Sequence, residues 1–536
     1  RKKELERICQ ALENIKEKKP GTFHEAMQLF WLFALLAGVI NYGRLDDYLG
    51  PYLVADLKSG RLTDEEAYRY IHSLWTMIEN RRTTVNGRII VGGKGRKHPK
   101  EADVFLHIAM KVAKNCRYVE PQFTLRFDKE TSEEIWDEAL DALGAGATYP
   151  TLYNDDVNVP AVMYGMRVDE KTAEQYVPFG CTEFVIQGQS TGTPNICINL
   201  LKLLTIYMND GIDPIDGKRK SGPVSLKKLE EYQTFEEFYD GYKALLDYYL
   251  DLSVKAQYHS YEVMNQHVSF LFTSLLTDDC IARGKALLDG GVRYLGGTNE
   301  TYGNINTSDS LWVIRDLVFN QKKYTLRQLN DAMLANFNGY EALRKDCLNC
   351  DKYGNDLETA DTMANDLYEF VAKGVRDRGI AIGMQYFLIV ISNNQLNTEW
   401  GNRTAASPDG RLSCMYMNPA NNPQGGANKS GPTAMLNSLA KFDAKYHGGS
   451  VQNIKFSPSM FNENRAVIKS LFKTYFAKGG CHLMVTVVDK GVLEDAVEHP
   501  ENYPDLIVRV SGFSAVFVDL SPNIQQELLS RVLYDK

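Results

Sequence analysis

A thiol and a carboxylate stand two positions apart in the segment PFGCTE at 178–183. Cys181 follows a glycine there, and Glu183 lies in a stretch that carries few other charges. A cysteine among apolar residues most often serves as a small buried side chain. The same surroundings keep a thiol protonated, because burial disfavours the thiolate. If the segment is catalytic, it places a general base next to a thiol suited to giving up a hydrogen atom and not to nucleophilic attack.

A single glycine, Gly512, interrupts the apolar run LIVRVSGFSAVF at 506–517. Such a glycine ordinarily supplies a backbone conformation that other residues avoid. Glycine is also the residue whose α-carbon can become planar without a side chain, so that both flanking peptide groups delocalise a radical. Since a thiol S–H bond is comparable in strength to that C–H bond, hydrogen exchange between Gly512 and Cys181 would be nearly balanced and repeatable. Neither segment is convincing alone.

The elements that must carry these segments are mostly helices with short strands between them. Thr22 with Glu25 and Thr63 with Glu66 form capping-box patterns at two helix starts. The apolar run at 29–40 is shorter than the roughly 20 residues that span a bilayer, and we interpret it as a buried helix. Further helices are predicted at 131–144, 195–208, 235–258, 272–288, 325–345, 357–375, 521–534 and directly after the run at 506–517. Strands are predicted at 89–91, 122–126, 482–488 and 506–510.

Composition describes a large globular chain. Of its 536 residues 44% are apolar, and 60 basic against 68 acidic residues give a net charge of −8 without a long basic tract, which argues against nucleic-acid binding. Nine irregularly spaced cysteines are typical of reduced thiols in the cytoplasm. Cys347 and Cys350 form an isolated CxxC, which we interpret as two incidental thiols. The glycine-rich stretch 401–432 is either a linker or a functional loop, and we expect one large α/β domain.

The segment around Gly512 resembles the glycyl radical signature of the pyruvate formate-lyase superfamily, RV-[SA]-GY, with Phe513 in place of the tyrosine. The segment at 180–183 resembles the family's GCxE thiyl loop. Similar blocks follow in the family's order: TFHEAMQ at 22–28, GRLDDYLGPY at 43–52, EPQFTLRF at 120–127, Asn154-Asp155, GGVRY at 290–294, DSL at 309–311, SPDGR at 407–411, SGPTAMLNSLAKFD at 430–443 and HPENYPDLIVRVSG at 499–512. Family members generally begin well upstream of the position that matches Arg1, so the resemblance implies that the first part of the barrel lies outside this chain.

The resemblance implies an α/β fold, a ten-stranded barrel surrounded by helices, in which the Cys and Gly loops meet at the centre. Residues 1–425 would form the barrel region with the thiyl loop, and 426–536 the C-terminal glycine radical domain. No bound organic cofactor and no metal are implied for the resting enzyme. A separate radical-SAM activating enzyme with an iron–sulfur cluster would install the radical on Gly512. The protein would be a cytoplasmic homodimer without a membrane or nucleic-acid partner.

The resemblance also implies a reaction class. In family members that eliminate water, amines or sulfite, a glutamate two positions after the thiyl cysteine acts as general base, which assigns that role to Glu183. Pyruvate formate-lyase itself uses two adjacent cysteines, whereas Gly180 and Thr182 flank Cys181 here. We therefore expect a lyase of the dehydratase type that uses Gly512, Cys181 and Glu183 on a small polar substrate. The alternatives are a radical decarboxylase or other C–C lyase, and a scaffold or regulatory homologue without turnover.

The substrate-binding candidates lie in two stretches where this sequence departs from known members and at positions after GGVRY where members often place pocket residues. The stretch 38–42 lacks the His-Ser pair of the diol dehydratases, which argues against a small triol or choline and leaves Asn41 and Tyr42 as polar contacts. The stretch 187–193 is rich in amides and hydroxyls and offers Gln187, although a plain turn into the helix at 195–208 fits it equally. Cys197 is expected on that helix. The positions after GGVRY complete the set: Asn299, Glu300 and Tyr302.

Overall fold

Short, buried strands alternate with helices along the chain. The computed structural model describes residues 1–39, 41–82, 87–192, 196–268, 270–392 and 395–535. Its strands are β1 (Asn41–Arg44), β2 (Arg88–Gly92), β3 (Phe123–Phe127), β4 (Thr151–Asn154), β5 (Tyr176–Phe179), β6 (Glu183–Ile186), β7 (Ile196–Asn199), β8 (Gly296–Tyr302), β9 (Tyr386–Ile391), β10 (His447–Ser450), β11 (Asn453–Phe456), β12 (His482–Val487), β13 (Ile507–Arg509) and β14 (Ser514–Val516). β2, β3 and β9 are buried along their whole length, which is typical of parallel sheets covered on both faces.

The helices include two of more than twenty residues, α10 and α16, and many short ones. They are α1 (Lys2–Glu17), α2 (Phe23–Leu36), α3 (Leu45–Lys58), α4 (Asp64–Asn80), α5 (Pro99–Asn115), α6 (Glu133–Gly144), α7 (Asp155–Met166), α8 (Glu170–Ala173), α9 (Leu200–Met208), α10 (Phe235–His267), α11 (Leu271–Leu276), α12 (Cys280–Arg283), α13 (Asn304–Val313), α14 (Leu326–Leu334), α15 (Glu341–Asn349), α16 (Glu358–Ala381), α17 (Leu396–Glu399), α18 (Gly431–Ala440), α19 (Pro458–Glu463), α20 (Arg465–Ala477), α21 (Lys490–Glu498) and α22 (Pro522–Ser530). The capping box predicted at Thr63 and Glu66 starts α4.

Two sheets form the framework of the molecule. A six-stranded sheet has the order β1-β2-β3-β4-β12-β11, and a four-stranded sheet has the order β10-β9-β8-β7. Neighbours pair in parallel except β4 and β12, which run antiparallel with His482 opposite Tyr153. Parallel neighbours need a crossover connection, and helices supply it. The predicted α/β fold with helices around the sheets is confirmed.

The segment 447–456 joins the two sheets edge to edge. Its first half is β10, which pairs with β9, and the Val451 N–H donates to the Ile391 carbonyl at 2.9 Å. Its second half is β11, which pairs with β12, and the Gln452 carbonyl accepts from the Met484 N–H at 2.8 Å. The strands therefore form one continuous array from β1 to β7.

Two antiparallel hairpins carry the segments singled out in the sequence. β5 and β6 form the Cys hairpin, whose tip is 180–182, and β13 and β14 form the Gly hairpin, whose tip is 510–513. The Cys hairpin contacts β1, β2 and β10, and the Gly hairpin contacts β12. Both hairpins therefore rest on strands of the large array.

A buried ion pair fixes the base of the Cys hairpin. Arg126 on β3 and Asp155 at the start of α7 are fully buried and share two hydrogen bonds of 2.9 and 2.8 Å. The guanidinium also donates to the Tyr176 carbonyl at 2.6 Å and lies 4.0 Å from the centre of the Tyr176 ring. Since a buried charge without its partner is strongly destabilising, this pair ties the hairpin base firmly to β3.

One predicted helix begins where expected and another begins later. The run after Gly512 forms β14, which pairs back onto β13, and the helix predicted at 521–534 starts at Pro522 as α22. The helix predicted at 195–208 starts at Leu200, because the branched residues before it pair with β8 as strand β7. Cys197 therefore lies on a strand, and its prediction on a helix was wrong. Thr193 to Asn195 lie outside the described residues.

Two other predicted helices are interrupted by turns. The one at 272–288 is divided into α11, α12 and a short π turn, and Asp279 between the helices has a left-handed backbone with φ of 74°. The one at 325–345 is divided into α14 and α15, and Asn336 between them has φ of 51°. Asp and Asn tolerate this conformation, so local turn chemistry overrides the helical periodicity.

The apolar run at 29–40 is not buried as predicted. Its helix α2 ends at Leu36, which is 78% exposed, and Leu29 is 42% exposed. α2 contacts α1 and α3, and its apolar residues away from these two helices stay exposed. Ile40 lies outside the described residues. Among the helices that the structure describes, none is long and apolar enough to cross a membrane.

A substitution of Gly449 on β10 tests how closely the strand array contacts the Cys hairpin. Its φ is +135°, and a Cβ there would overlap the carbonyl of Thr182 at the hairpin tip. We expect Gly449→Ala to reduce the free energy of unfolding by about 1–3 kcal/mol, measured as a lower thermal midpoint. Gly217→Ala is the matched control, since Gly217 also has a positive φ but has no atom within 4 Å of the added Cβ. Equal shifts in the two variants would contradict the close contact.

Candidate active site

The tips of the two hairpins touch at Gly512 and Cys181. A Cβ built on Gly512 would lie 2.5 Å from both Cα and Cβ of Cys181 and 2.8 Å from its carbonyl oxygen. No real side chain tolerates such distances, so only glycine fits here. The structure thus brings together the two reactive segments, which are far apart in the sequence.

Burial keeps the Cys181 thiol protonated. The residue is 2% exposed, and this burial raises the pKa of the thiol well above its usual range. The negative charges of Glu183 and Glu300 raise the pKa further, whereas Arg88 and Arg509 oppose them. The group therefore holds a hydrogen atom and is not a thiolate nucleophile.

Glu183 folds back across the tip of the Cys hairpin. Its Oε2 accepts from the Thr182 N–H at 2.9 Å, and a Cβ on Gly180 would lie 2.6 Å from the same oxygen. The carboxylate is buried and close enough to Cys181 to influence its pKa. This position suits a general base, and the bond to a loop amide also suits a structural role.

The tip of the Cys hairpin has an unusual backbone. Gly180 has φ of 52°, and Thr182 has φ of 143°, a region that a branched residue rarely adopts. Such a conformation costs free energy and persists only where the surroundings enforce it. Gly449 supplies part of that enforcement, because it lies directly against the Thr182 backbone.

Two buried arginines surround the carbonyl of Gly512, and sequence reasoning assigned neither a role. Arg509 Nη2 lies 3.3 Å from this oxygen, and Arg88 Nη2 lies 3.5 Å from it. Arg88 Nη2 also donates to the Gly180 carbonyl at 2.8 Å. The only available signal was the presence of arginines in runs that are otherwise apolar, since a buried arginine must find acceptors nearby.

The residues predicted after GGVRY lie on β8 and point to both of its faces. The Glu300 carboxylate accepts from Tyr302 Oη at 2.5 Å and from Ser392 Oγ at 2.8 Å, and its charge acts on Cys181. Burial and this carboxylate raise the pKa of Tyr302 well above its usual range. Asn299 lies on the opposite face and donates to Ser253 of α10 at 2.6 Å. The structure brings Glu300 and Tyr302 toward the thiol and Asn299 away from it.

The other three predicted contacts differ in their distance from the tip. Asn41 lies beside it, because its Oδ1 accepts from the Gly180 N–H at 3.4 Å. Tyr42, the next residue on β1, points into the core, where its hydroxyl accepts from Arg81 at 2.9 Å. Gln187 is exposed beyond the end of β6 and lies against Gly43.

Cys197 is a second thiol near the site. It pairs with Glu300 in the register of β7 and β8, and directly opposite residues in paired strands share a face. Burial, then Glu300 and Glu183, raise the pKa of Cys197 above its usual range. It is therefore also protonated, but the three atoms nearest to a Cβ built on Gly512 belong to Cys181 and not to Cys197.

Two buried histidines below the hairpins are neutral. Burial lowers the pKa of His447 to about 3, and its ring packs against Phe184 at 5.1 Å. Burial, followed by Arg88 and Arg509, lowers the pKa of His482 well below its usual range. Neither supplies a charge to the site.

The grouping that best suits a metal ion within the described ranges lies at the surface. His107 on α5 and Glu134 and Glu138 on α6 place one ligand atom each within 4.8 Å of one another. His107 and Glu138 already share a hydrogen bond of 2.8 Å. The CxxC thiols, Cys347 and Cys350, are not bonded to each other.

A glycine packed against a dry, protonated thiol inside an α/β array defines a glycyl radical enzyme. The chain belongs to the pyruvate formate lyase-like family, whose model matches residues 1–396, and a glycine radical model matches 417–518. Its similarities to dehydratases and lyases make it an enzyme of the lyase type. The division of the chain after residue 425 stays a prediction.

Three comparisons illustrate the relationship. Trans-4-hydroxy-L-proline dehydratase from Clostridioides difficile is 28% identical over 555 residues, which cover 99% of this chain and 70% of the relative. The glycerol-bound B12-independent glycerol dehydratase from Clostridium butyricum superimposes with a TM-score of 0.91 at 27% identity, covering 100% of this chain and 70% of that one. The 4-hydroxyphenylacetate decarboxylase glycyl radical subunit of C. difficile strain CD196 is 26% identical, covering 100% of this chain and 66% of the relative.

Replacing Cys181 with serine tests whether a hydrogen atom passes between the Cys181 thiol and the Gly512 α-carbon. We expect Cys181→Ser to keep a glycine-centred radical after anaerobic activation but to abolish turnover. The serine O–H bond is too strong for the Gly512 radical to take its hydrogen atom. In D2O the wild-type electron paramagnetic resonance (EPR) doublet should collapse, since the exchangeable thiol hydrogen is passed to Gly512, whereas the variant should keep its doublet. Cys197→Ser is the matched control and should collapse like the wild type. Collapse in Cys181→Ser would exclude Cys181 as the partner.

Proposed function

We propose that this chain carries the radical machinery of a lyase that eliminates water, an amine or a similar leaving group from a small polar substrate. The contact between Gly512 and the protonated Cys181 is the observation that carries the proposal. The carboxylate of Glu183 across the same hairpin tip supports an elimination.

The first step is a hydrogen-atom transfer between the hairpin tips. The radical on the Gly512 α-carbon takes the hydrogen atom of the Cys181 thiol, so that the S–H bond breaks and a C–H bond forms. No charge moves, and the dry surroundings of the two residues protect both radicals from side reactions. The resulting thiyl is reactive enough to abstract a hydrogen atom from an unactivated substrate carbon.

The second step is the elimination. Glu183 takes the proton of the hydroxyl on the substrate radical carbon, which gives a ketyl-like species that expels the leaving group from the neighbouring carbon. The proton held by Glu183 passes to the departing group, which leaves as neutral water or amine, and Glu183 is a carboxylate again. The product radical then takes a hydrogen atom back from the Cys181 thiol, and the thiyl regenerates the radical on Gly512. Each turnover therefore ends with the protein in its starting state.

The polar walls of the site support a polar substrate. Glu300 and Tyr302 lie on the face of β8 that is turned toward the thiol, and Ser392 donates to Glu300 there. Asn41 borders the Cys hairpin. We propose Asn41, Glu300 and Tyr302 as substrate contacts. The positions of Tyr42, Gln187 and Asn299 do not favour direct contact with a substrate near Cys181.

The radical on Gly512 must be generated by another enzyme. We propose that a radical-SAM activating enzyme with an iron–sulfur cluster removes one α-hydrogen of Gly512, so that no organic cofactor is bound in the resting state. We also propose that the protein acts in the cytoplasm as a homodimer. A gel-filtration mass of the anaerobic protein would test the dimer.

Replacing the base should stop the elimination and leave the radical intact. We expect Glu183→Gln to keep the glycine radical and its exchange in D2O, but to lower kcat about 10²- to 10⁴-fold, the usual contribution of a general base. The amide is nearly isosteric, so the hairpin tip should keep its shape. Unreduced turnover in Glu183→Gln would assign Glu183 a purely structural role.

Oxygen should cut the activated chain at the radical. Exposure of the activated protein to air is expected to cleave the backbone at Gly512, and mass spectrometry would find a fragment that begins there. Gly512→Ala, treated in the same way, should stay intact. A break elsewhere would place the radical on another residue.

Measurement of carbon dioxide released during turnover separates elimination from decarboxylation, because only decarboxylation releases it.

A further inference from the structure

Arg88 contacts both hairpin tips with a single nitrogen atom. Its Nη2 lies 2.8 Å from the carbonyl oxygen of Gly180, which precedes the thiyl cysteine, and 3.5 Å from that of Gly512. Arg509, by contrast, lies in the Gly hairpin itself, where it donates to the Gly512 carbonyl and, at 3.0 Å, to Ser514 Oγ. It also contacts the Met484 sulfur on β12. Arg88 therefore spans the junction across which the hydrogen atom must pass.

The guanidinium of Arg88 is held rigidly by residues of the six-stranded sheet. The residue is fully buried on β2. Its Nη1 donates to Thr124 Oγ1 and its Nη2 to Gln122 Oε1, both at 2.8 Å and both on or beside β3. A charge removed from water is stable only where such acceptors surround it, so the side chain has little freedom. The strands of the sheet thus set the position of the nitrogen that meets both tips.

We propose that Arg88 is a positioning residue that sets the distance between the α-carbon of Gly512 and the thiol of Cys181. This inference rests on the proposed function, because it concerns the hydrogen transfer within that mechanism. In that transfer the S–H bond of Cys181 breaks, the C–H bond of Gly512 forms, and the single electron moves with the hydrogen atom. Arg88 contributes no proton and no electron.

The strength of the effect follows from the distance dependence of hydrogen transfer. Each tip belongs to its own two-stranded hairpin, so the two tips can move separately once the shared contact is lost. A misplacement of about 1 Å is sufficient to slow an enzymatic step about 10²-fold. Lysine at position 88 keeps the charge but is shorter and lacks the planar fork that reaches several acceptors at once.

The test compares the formation of the radical with its exchange. Wild type, Arg88→Lys and Arg411→Lys are activated anaerobically, and EPR records the spin per chain and the rate at which the doublet collapses in D2O. We expect Arg88→Lys to gain spin but to collapse at least about 10-fold more slowly, with kcat lowered in parallel. Arg411 is the matched control, because it is buried and bonds to loop carbonyls such as those of Ala405 and Gly401. Its variant should collapse at the wild-type rate.

The inference would be overturned if the doublet of Arg88→Lys collapsed at the wild-type rate. It would also be overturned if Arg411→Lys slowed the collapse equally. If Arg88→Lys fails to fold or gains no spin, Thr124→Val decides, since it removes only the hydroxyl that holds Nη1. It should slow the collapse about threefold, and an unchanged rate would again contradict the proposal. A wild-type protein without a doublet would overturn the proposed function itself, which distinguishes the two failures.

Discussion

The contact between a glycine α-carbon and a cysteine side chain is the constraint on which the rest of the structure depends. In the proposed mechanism a hydrogen atom passes between Gly512 and Cys181, which requires that the two residues touch, and the missing Cβ of Gly512 makes that contact possible. Two separate hairpins supply the residues, and both rest on the large strand array. The buried pair of Arg126 and Asp155 ties one hairpin base to that array. Precision at the centre is thus obtained from rigid elements around it.

The electrostatics of the site reconcile two opposing needs. A hydrogen donor must stay protonated, and burial together with the nearby carboxylates raises the pKa of Cys181 far enough. The proposed base must stay close to the thiol, and Glu183 lies at the same hairpin tip. Arg88 and Arg509 both donate to the backbone carbonyl of Gly512, and Arg88 also donates to the backbone carbonyl of Gly180. Their donors therefore organise the hairpins while the thiol stays neutral.

Sequence could predict the α/β class from its alternating helix and strand patterns, whereas the two reactive segments became convincing only through their resemblance to a family. The meeting of Gly512 and Cys181 followed only from the resemblance to a family, since local periodicity carries no information about distant contacts. Asn299 and Glu300 show a further limit, because strand phase decides which of two neighbours faces the thiol. Cys197 was placed on a helix because the N-cap role of Asn199, which starts α9, was overlooked. Arg88 was missed because its acceptors are mostly backbone carbonyls and amides from other elements.

The central claim is that the radical resides on Gly512 and exchanges with Cys181. The most direct measurement is EPR of the anaerobically activated protein with ¹³C at the α-carbon of its glycines. We expect a doublet from one α-hydrogen that the label splits further, that collapses in D2O, and that is absent from Gly512→Ala. A signal that ignores the label, or that persists in Gly512→Ala, would contradict it.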